Sequence, residues 1–314
     1  MGATPARWKM WSALATIYLV WGSTYLAIKV AVRTQPPLFS GGTRFLAAGL
    51  ALALALTVTG RSLRVSRAEL LSALALGVSL LACGVGVIMV AETRIDSSVA
   101  AMIAGSVPVQ VVVWRTVARE RVIQATRLAA AAGIVGLALI VVPQGSSGGS
   151  TAVGLAFSLC ASISWSVGSF VSRRLRLPAD PFVATVYEMV GGGAALIAVA
   201  PIVGEHVHRD AFATPQLLSW LYLATMGSLV GFTAYAWLLR HMSISQVVTH
   251  QYVNPVVAVT LGALLLGERL TLTTLIGAGI VIGAVFVTVR NESRRPPPRR
   301  RHEPEAVPAC AETA

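Results

Sequence analysis

The chain has 314 residues, of which 55% are hydrophobic and only 12% are charged, and its mean hydropathy is +0.72. This composition cannot supply the charged surface that a soluble protein of this size needs, so a soluble globular protein is excluded. The formal net charge of +12 does not indicate nucleic acid, because Lys and Arg collect on the cytoplasmic side of membrane proteins. The expected partner is a lipid bilayer.

Apolar segments of about 20 residues, the length that crosses a hydrocarbon core, follow one another along the chain. The first follows Arg7 and Lys9 without a convincing small-x-small cleavage site, so we expect an uncleaved first helix. The predicted fold class is an all-α polytopic membrane protein with ten transmembrane helices. Their predicted positions are 11–32, 38–59, 69–91, 97–117, 127–143, 151–172, 182–203, 216–239, 245–266 and 272–289.

The distribution of Lys and Arg predicts the orientation of these helices. With a cytoplasmic N-terminus, most of the 25 Lys and Arg residues fall in cytoplasmic segments, and four fall outside, namely Arg33, Arg94, Arg209 and Arg269. This bias predicts that both termini are cytoplasmic, and we expect a bacterial plasma membrane. The Arg- and Pro-rich segment 291–314 is predicted to be a disordered tail.

Internal similarity divides the chain into two halves, residues 1–145 and 146–290. A shift of 144 residues in the first two spans, and of 147 from the third span onward, aligns residues of related character. The aligned pairs include Trp21 with Trp165, Arg44 with Glu188, Gly84 with Gly231 and Pro108 with Pro255. Because each half has an odd number of predicted spans, the second copy must enter the membrane from the opposite side. Such inverted repeats are typical of secondary transporters, which bind their solutes near mid-membrane between the halves.

Three motifs carry a resemblance to a known family. They are the stretch Tyr18–Lys29, Pro37 followed by Arg44–Gly49, and Asn254-Pro255 followed by Gly267-Glu268-Arg269-Leu270. These resemble the first, second and ninth helices of EamA-type proteins in the drug/metabolite transporter superfamily. The resemblance implies a ten-helix exporter of amino acids, metabolites or toxic compounds. The first half departs from the pattern, since Arg115 interrupts its fourth apolar span.

Ionisable residues within the predicted spans are candidates for function, because burying a charge in hydrocarbon is costly. Glu188, beside Tyr187 in the seventh span, is either a proton-coupling carboxylate or a member of a structural ion pair. Arg44 either holds an anionic group of a solute or anchors the first two helices. Lys29 shares one helix face with Trp21 and Tyr25, which predicts either an aromatic wall for a solute or an interfacial belt.

Further candidates for solute binding are polar or aromatic residues of other spans. In the ninth span these are His250, Gln251 and Asn254, next to Pro255, which leaves a backbone carbonyl one turn earlier without its donor. Ser106 and Gln110 are the corresponding residues of the fourth span, and Trp165 lies in the sixth. For all of them the alternative is an ordinary contact between helices.

An enzyme is not expected, because no nucleophile, paired-carboxylate or metal-ligand set recurs at a suitable spacing. We therefore predict no cofactor and no metal. Primary pumping is excluded as well, because neither Lys9 nor Lys29 lies in a phosphate-binding glycine motif. The predicted function is secondary active transport of a small solute, with proton coupling and a homodimer left open. A passive facilitator and a non-transporting scaffold or flippase partner are the alternatives.

Overall fold

The computed structural model describes residues 6–95, 100, 103–141, 151–266 and 272–293, and all regular structure in these residues is helical. The prediction of an all-α polytopic membrane protein is therefore confirmed. We number the main helices α1 to α10. They are α1 Arg7–Ala31, α2 Pro37–Val58, α3 Arg67–Glu92, α4 Val107–Val117, α5 Gln124–Val141, α6 Ala152–Val171, α7 Pro181–Val199, α8 Thr214–His241, α9 His250–Leu266 and α10 Leu272–Ser293.

Seven helices in the described part of the chain are long and apolar enough to cross a membrane, namely α1, α2, α3, α6, α7, α8 and α10. Two shorter apolar stretches, Val107–Val117 and Gln124–Leu139, lie in α4 and α5. The predicted start of the fourth span, the motif Gly267–Leu270 and the tail from 294 onward lie outside the described residues.

Several helix boundaries differ from the predicted ones by about one turn, and two of these differences involve residues discussed below. The predicted ninth span is interrupted, because Ile244–Val247 forms a separate turn closed by a capping box between Ser243 and Gln246, and α9 begins at His250. Gln246 and His250 therefore do not share one continuous helix. At the other boundary, α10 continues to Ser293, three residues into the predicted disordered tail. Its residue Glu292 is buried, which explains the extension.

The helices α2 and α7 are fastened to each other at both ends. Both begin with proline, which fits the first helical turn because it needs no N–H donor there. The carboxylate of Glu205, beyond the end of α7, accepts hydrogen bonds of 2.9 Å from the Leu38 and Phe39 amides at the start of α2. Beyond the end of α2, Arg61 forms a 3.0 Å ion pair with Asp180, the N-cap of α7.

Most helix contacts join residues of the first half to residues of the second. Helix α2 packs against α7, α5 against α10, α1 against α8 and α9, and α6 against α3 and α4. Glycine makes the closest of these contacts possible. A side chain at Gly77 of α3 would collide with the backbone carbonyl of Glu188 in α7. The two halves therefore interlock and do not form separate bundles.

We call the two ends of this bundle the upper end and the lower end. The upper end contains the turn 32–36, residue 151 and the loop 200–213. The lower end contains the turns 59–66, 118–123, 172–180 and 242–249. Contacts within each end fit this division, because Thr34 bonds the Asp210 carbonyl at the upper end and Arg240 bonds the Pro178 carbonyl at the lower end.

The helices α3 and α8 each contain a long π-helical segment, Val78–Gly86 and Leu223–Phe232 respectively. The wider turn of a π-helix uses hydrogen bonds between residues i and i+5, and such segments are frequent at functional sites. Both segments lie at mid-length of their helices, where they meet helices of the other half. They therefore mark the mid-depth of the bundle as the place to look for a site.

Candidate functional site

A cavity of about 790 Å³, including its open mouth, extends from mid-depth toward the upper end of the bundle. Its wall contains residues of both halves, from α1, α2, α3 and α4 on one side and from α6, α8 and α9 on the other. Ile28 near the end of α1, Arg44 near the start of α2 and Ile88 near the end of α3 line its upper part. Small-molecule sites in helical bundles commonly lie in clefts of this kind, between helices and lined mainly by apolar side chains.

Two tryptophans stand at the deep end of the cavity, each against a glycine in the π-helical segment of the other half. Trp21 of α1 lies on Gly231, where any added Cβ would be too close to the indole nitrogen. Trp165 of α6 lies on Gly84, where a Cβ would be 3.1 Å from Cε3 of the indole ring. The indole Nε1 of Trp21 also donates a 3.0 Å hydrogen bond to the carbonyl of Gly227. Glycine at these positions therefore lets the indoles approach the π-helical backbone.

Below the tryptophans, Tyr235 and His250 complete an aromatic floor. The ring centroids of Trp21 and Trp165 are 5.5 Å apart, and Tyr235 is 5.2 Å and 5.1 Å from them respectively. The His250 ring lies 4.8 Å from that of Trp21. Both Tyr235 and His250 have no exposed surface. Four rings in edge-on and tilted contact make a rigid surface against which an apolar or aromatic group can pack.

Several residues of the cavity wall carry polar atoms that are shielded from solvent and have no hydrogen bond to any residue that the structure describes. They are the donor Arg44 Nε, the hydroxyl of Ser158 and the acceptor Gln251 Oε1. The side chains of Trp165 and Asn254 interact with the hydroxyls of Tyr235 and Tyr25 respectively. Buried polar groups without partners are costly, and they concentrate where a ligand or water completes them. A solute that carries both donors and acceptors would satisfy this wall.

A second group of polar side chains lies at the upper end, where Glu92 closes α3. Neither oxygen of the Glu92 carboxylate has solvent contact or a hydrogen bond to any residue that the structure describes. The positive charges of Lys29 and Arg44 attract the Glu92 carboxylate, and the carboxylate in turn acts electrostatically on Tyr25. The cavity therefore ends beside two cations and one carboxylate that are not bonded to each other.

At the lower end, a network around Arg115 ties the helices together. The Nε of Arg115 bonds Glu120 at 3.0 Å, and its Nη1 bonds Glu292 at 3.0 Å and the hydroxyl of Ser245. Glu120 also pairs with Arg174 after α6. Burial and the neighbouring charge of Arg115 lower the pKa of Arg173 in the same turn. These contacts join α4, α6, α9 and α10.

The structure brings six of the predicted site residues to the cavity wall, and these are Trp21, Tyr25, Arg44, Trp165, Gln251 and Asn254. The other six do not line it. His250 lies beneath its floor, and Gln110 bonds Ser106, Ser162 and Ser166 as a contact between helices. Lys29 is exposed at the upper end.

Tyr187 and Glu188 lie near the lower end and away from the cavity. The Tyr187 hydroxyl bonds the Leu63 carbonyl at 2.6 Å and thereby fastens the turn before α3 to α7, and Tyr187 is not among the residues that line the cavity. Glu188 is only 3% exposed, and Arg240 is the cation that acts on it. Glu92, Tyr235 and the pair of Arg115 with Glu292 were not predicted from the sequence.

These features define a class of protein: a polytopic α-helical membrane protein with a central cavity between two interlocked halves. The model of the EamA-like transporter family matches residues 8–142 and again residues 152–290. The chain belongs to the EamA-like transporter family. This confirms the resemblance to EamA-type members of the drug/metabolite transporter superfamily.

Individual relatives share most of the chain. It is 35% identical over 282 residues to the "Uncharacterized inner membrane transporter YedA" of Escherichia coli K12, covering 88% of this chain and 90% of that one. It is 26% identical over 290 residues to a "Probable amino-acid metabolite efflux pump" of Salmonella typhimurium, covering 87% and 92%. A solved crystal structure superposes with a TM-score of 0.73 at 20% identity over 92% of this chain and 99% of that one, which supports the fold.

Proposed function

We propose that this protein is a secondary active transporter that exports small metabolites by alternating access between two inverted five-helix repeats. The repeats are residues 1–145 and 146–290, followed by the tail 291–314. Alternating access requires that a central site opens to one side of the membrane while the other side is closed. The observation that carries the proposal is a cavity at the contact of the halves that extends toward the upper end, above a lower end closed by packing and ion pairs.

The residues that occupy the closed side support this interpretation. Applying the shifts of 144 and 147 to Phe45 and Ile88 of the cavity wall leads to Met189 and Tyr235. The reverse shift of 144 from Ser158 leads to Leu14. These three counterparts are at most 1% exposed and belong to one apolar cluster. The region that would mirror the cavity is therefore filled, as expected for one of two states related by exchange of the halves.

The arrangement of helices supports the repeat. If α1–α5 are exchanged with α6–α10, the contact of α1 with α8 becomes the contact of α6 with α3. The contacts of α2 with α7 and of α5 with α10 are unchanged by the exchange. The π-helical segments of α3 and α8 are exchanged in the same way. An approximate two-fold axis that exchanges the halves gives such a pattern, and the inverted repeats of transporters are related by an axis of this kind in the membrane plane.

The character of the cavity favours an amphoteric solute with an apolar or aromatic group. Arg44 offers a donor for a carboxylate, Gln251 and Asn254 offer acceptors for an ammonium or hydroxyl group, and the aromatic floor offers an apolar surface. Amino acids and related metabolites combine these groups. The name of the Salmonella relative, an amino-acid metabolite efflux pump, agrees with this solute class.

We further propose the orientation and the driving force. The Arg-rich lower end is taken as cytoplasmic, which makes the described state open toward the outside of the bacterial inner membrane. Glu188, buried within α7, is the proposed proton-coupling residue. A carboxylate in such a place can bind a proton in one state and release it in the other.

Transport by purified protein in sealed liposomes tests the function. Vesicles containing the protein receive a mixture of amino acids, and an imposed pH gradient is expected to drive accumulation of at least one above its external concentration. Collapse of the gradient with a protonophore is expected to release the accumulated solute. Equilibration without accumulation would identify a passive facilitator. Absence of flux for every solute, with binding also absent, would favour the scaffold or flippase partner.

We expect the substitution Trp165→Phe to weaken solute binding, because Trp165 lines the cavity and a phenyl ring presents less aromatic surface than an indole. The loss of aromatic contact of roughly 1.4 kcal/mol raises the solute Kd about tenfold. Trp114→Phe is the matched control, since the Trp114 indole bonds Ser166 and does not line the cavity. Titration calorimetry of both variants measures the effect. Equal Kd values for the two variants would remove Trp165 from the binding site.

A further inference from the structure

The two ends of the bundle carry clusters of charge with the same composition. The upper cluster consists of Lys29, Arg44 and Glu92, and the lower cluster consists of Arg173, Glu188 and Arg240. In each, one carboxylate lies in the field of a cation from a neighbouring helix, Glu92 with Arg44 above and Glu188 with Arg240 below. Each cluster thus places one carboxylate and two cations on three consecutive helices of one half or just beyond them, the first half above and the second half below.

The clusters occupy equivalent positions in the two halves, but with two charges exchanged. The shift of 144 leads from Lys29 to Arg173 and from Arg44 to Glu188. The shift of 147 leads from Glu92 to the residue just before Arg240. In the upper cluster, α2 therefore supplies a cation and α3 supplies the carboxylate. In the lower cluster, the corresponding helix α7 supplies the carboxylate and α8 supplies a cation. Each cluster therefore still pairs a carboxylate on one helix with a cation on the next.

The lower cluster is engaged in the described state. Arg240 at the end of α8 donates hydrogen bonds to the carbonyls of Pro178 and Ala179, 2.7 Å and 2.8 Å away. Arg173 after α6 donates one to the carbonyl of Leu239. The ends of α6 and α8 and the start of α7 are thus tied together, and Glu188 lies within this closed end.

The upper cluster is not engaged. Within the described part of the chain, the two carboxylate oxygens of Glu92 and the Nε of Arg44 have no hydrogen-bond partner. All three atoms are shielded from solvent. Arg44 lines the open cavity, so the upper end is not closed around its side chain. A carboxylate held out of water without a donor is unfavourable, so it would gain energy by pairing.

We propose that Arg44 and Glu92, assisted by Lys29, form an ion-pair gate that closes the upper end when the lower end opens. Glu188 and Arg240 are the corresponding gate of the lower end. One gate forms as the other breaks, so a buried charge pair is present in either state and its energy largely cancels between them. The proposal rests on alternating access as the function and names the residues that fix the upper closed state.

Accessibility of a cysteine in the cavity measures the gate without any transport assay. Cys83, Cys160 and Cys310 are first replaced by Ala, and Ile88→Cys is introduced in the cavity wall, where the side chain is only half-buried. Intact cells are treated with two membrane-impermeant methanethiosulfonates, one anionic and one cationic. A change in gating alters both labelling rates in the same direction, whereas a change in local charge alters them in opposite directions. Ala213→Cys in the exposed upper loop is the control position.

Glu92→Gln and Arg44→Glu each remove the attraction, so the upper end stays open longer. We expect both reagents to label the cavity cysteine about fivefold faster or more, the lower range of coupling between distant sites. Arg44→Glu combined with Glu92→Arg reproduces the charge order of the lower cluster and is expected to restore the parental rate. Glu188→Gln weakens the lower gate and is expected to slow labelling.

The outcomes separate the gate from the proposed function. If Glu188→Gln slows labelling and the Arg44 and Glu92 variants leave it unchanged, alternating access stands and the upper gate is refuted. Failure of the charge exchange to restore the rate, with normal amounts of protein in the membrane, also refutes the pair. If no variant in either cluster alters labelling, the chain does not alternate and the proposed function fails together with the gate.

Discussion

Replacing Glu188 with Gln is expected to abolish the accumulation of solute driven by a pH gradient. The substitution keeps the size and most hydrogen bonds of the side chain but removes its ability to bind and release a proton. Since Glu188 is 3% exposed within α7, no bulk water substitutes for it. Solute should then only equilibrate across the vesicle membrane, a complete loss of accumulation in the liposome assay.

The control for this prediction is Glu69→Gln. Glu69 is also a carboxylate, but it lies at the surface and caps the start of α3 through Ser66. It should retain accumulation, with a small loss of stability from the weakened cap. Gradient-driven accumulation by Glu188→Gln equal to that of the parent would exclude Glu188 from proton coupling and leave its electrostatic attraction to Arg240 as its role.

The substitution Arg115→Met is expected to have the largest effect on stability. Arg115 and Glu292 are 6% and 5% exposed, and their 3.0 Å ion pair is shared with Glu120 and Ser245. Removing the cation leaves the Glu292 carboxylate buried, with a hydroxyl of Thr126 at 3.4 Å as a weak donor. Loss of one partner of a buried pair lowers the free energy of unfolding by about 3–5 kcal/mol. Reversible unfolding in mixed micelles measures the loss.

Two further variants show whether the effect arises from the buried charge. Arg174→Met breaks the pair of Arg174 with Glu120, whose side chains are 44% and 38% exposed, and should cost at most about 1 kcal/mol. Adding Glu292→Leu to Arg115→Met removes the stranded carboxylate and should recover most of the stability. If the single Arg115 variant loses no more than the Arg174 variant, water reaches this network and the lower end is not closed by it.

The sequence was sufficient to predict the class of fold and most helix positions. The length of an apolar segment depends only on the thickness of the bilayer, so α2 and α6 lie within one residue of their predicted bounds. The break before α9 was not predicted, since residues 245–266 have the length of one span and contain no Asp, Glu, Lys or Arg. A capping box between Ser243 and Gln246 begins a separate short helix there, and such local bonds do not change hydropathy.

The cavity could be predicted in part. Trp21, Arg44, Trp165 and Asn254 lie near mid-depth or two turns inside a helix, and an aromatic or polar residue at that depth requires a partner. The sequence predicts how deep in the membrane a residue lies along its helix. Whether its side chain points into the cavity depends on where the neighbouring helices lie, which the sequence does not give. Tyr187 shows the difference, because it faces Leu63 and away from the cavity.

The residues missed by the sequence have a common cause. Glu92 lies at the last position of α3, where a charged residue ordinarily meets water and attracts no notice. Arg115 interrupts an apolar span, and its partner Glu292 is 177 positions away in a segment predicted to be disordered. Tyr235 lies in an ordinary amphipathic stretch. In each case the significance arises from tertiary contacts, which a single sequence does not contain.

The interlocked packing has a consequence for how the chain is made. Helix α1 leaves the ribosome first, yet it packs against α8 and α9, and its Tyr18 hydroxyl bonds Thr249, 231 positions later. Contacts of such long separation form slowly. The earliest helix to enter the bilayer must therefore wait there, incompletely packed, until nearly the whole chain has been synthesised.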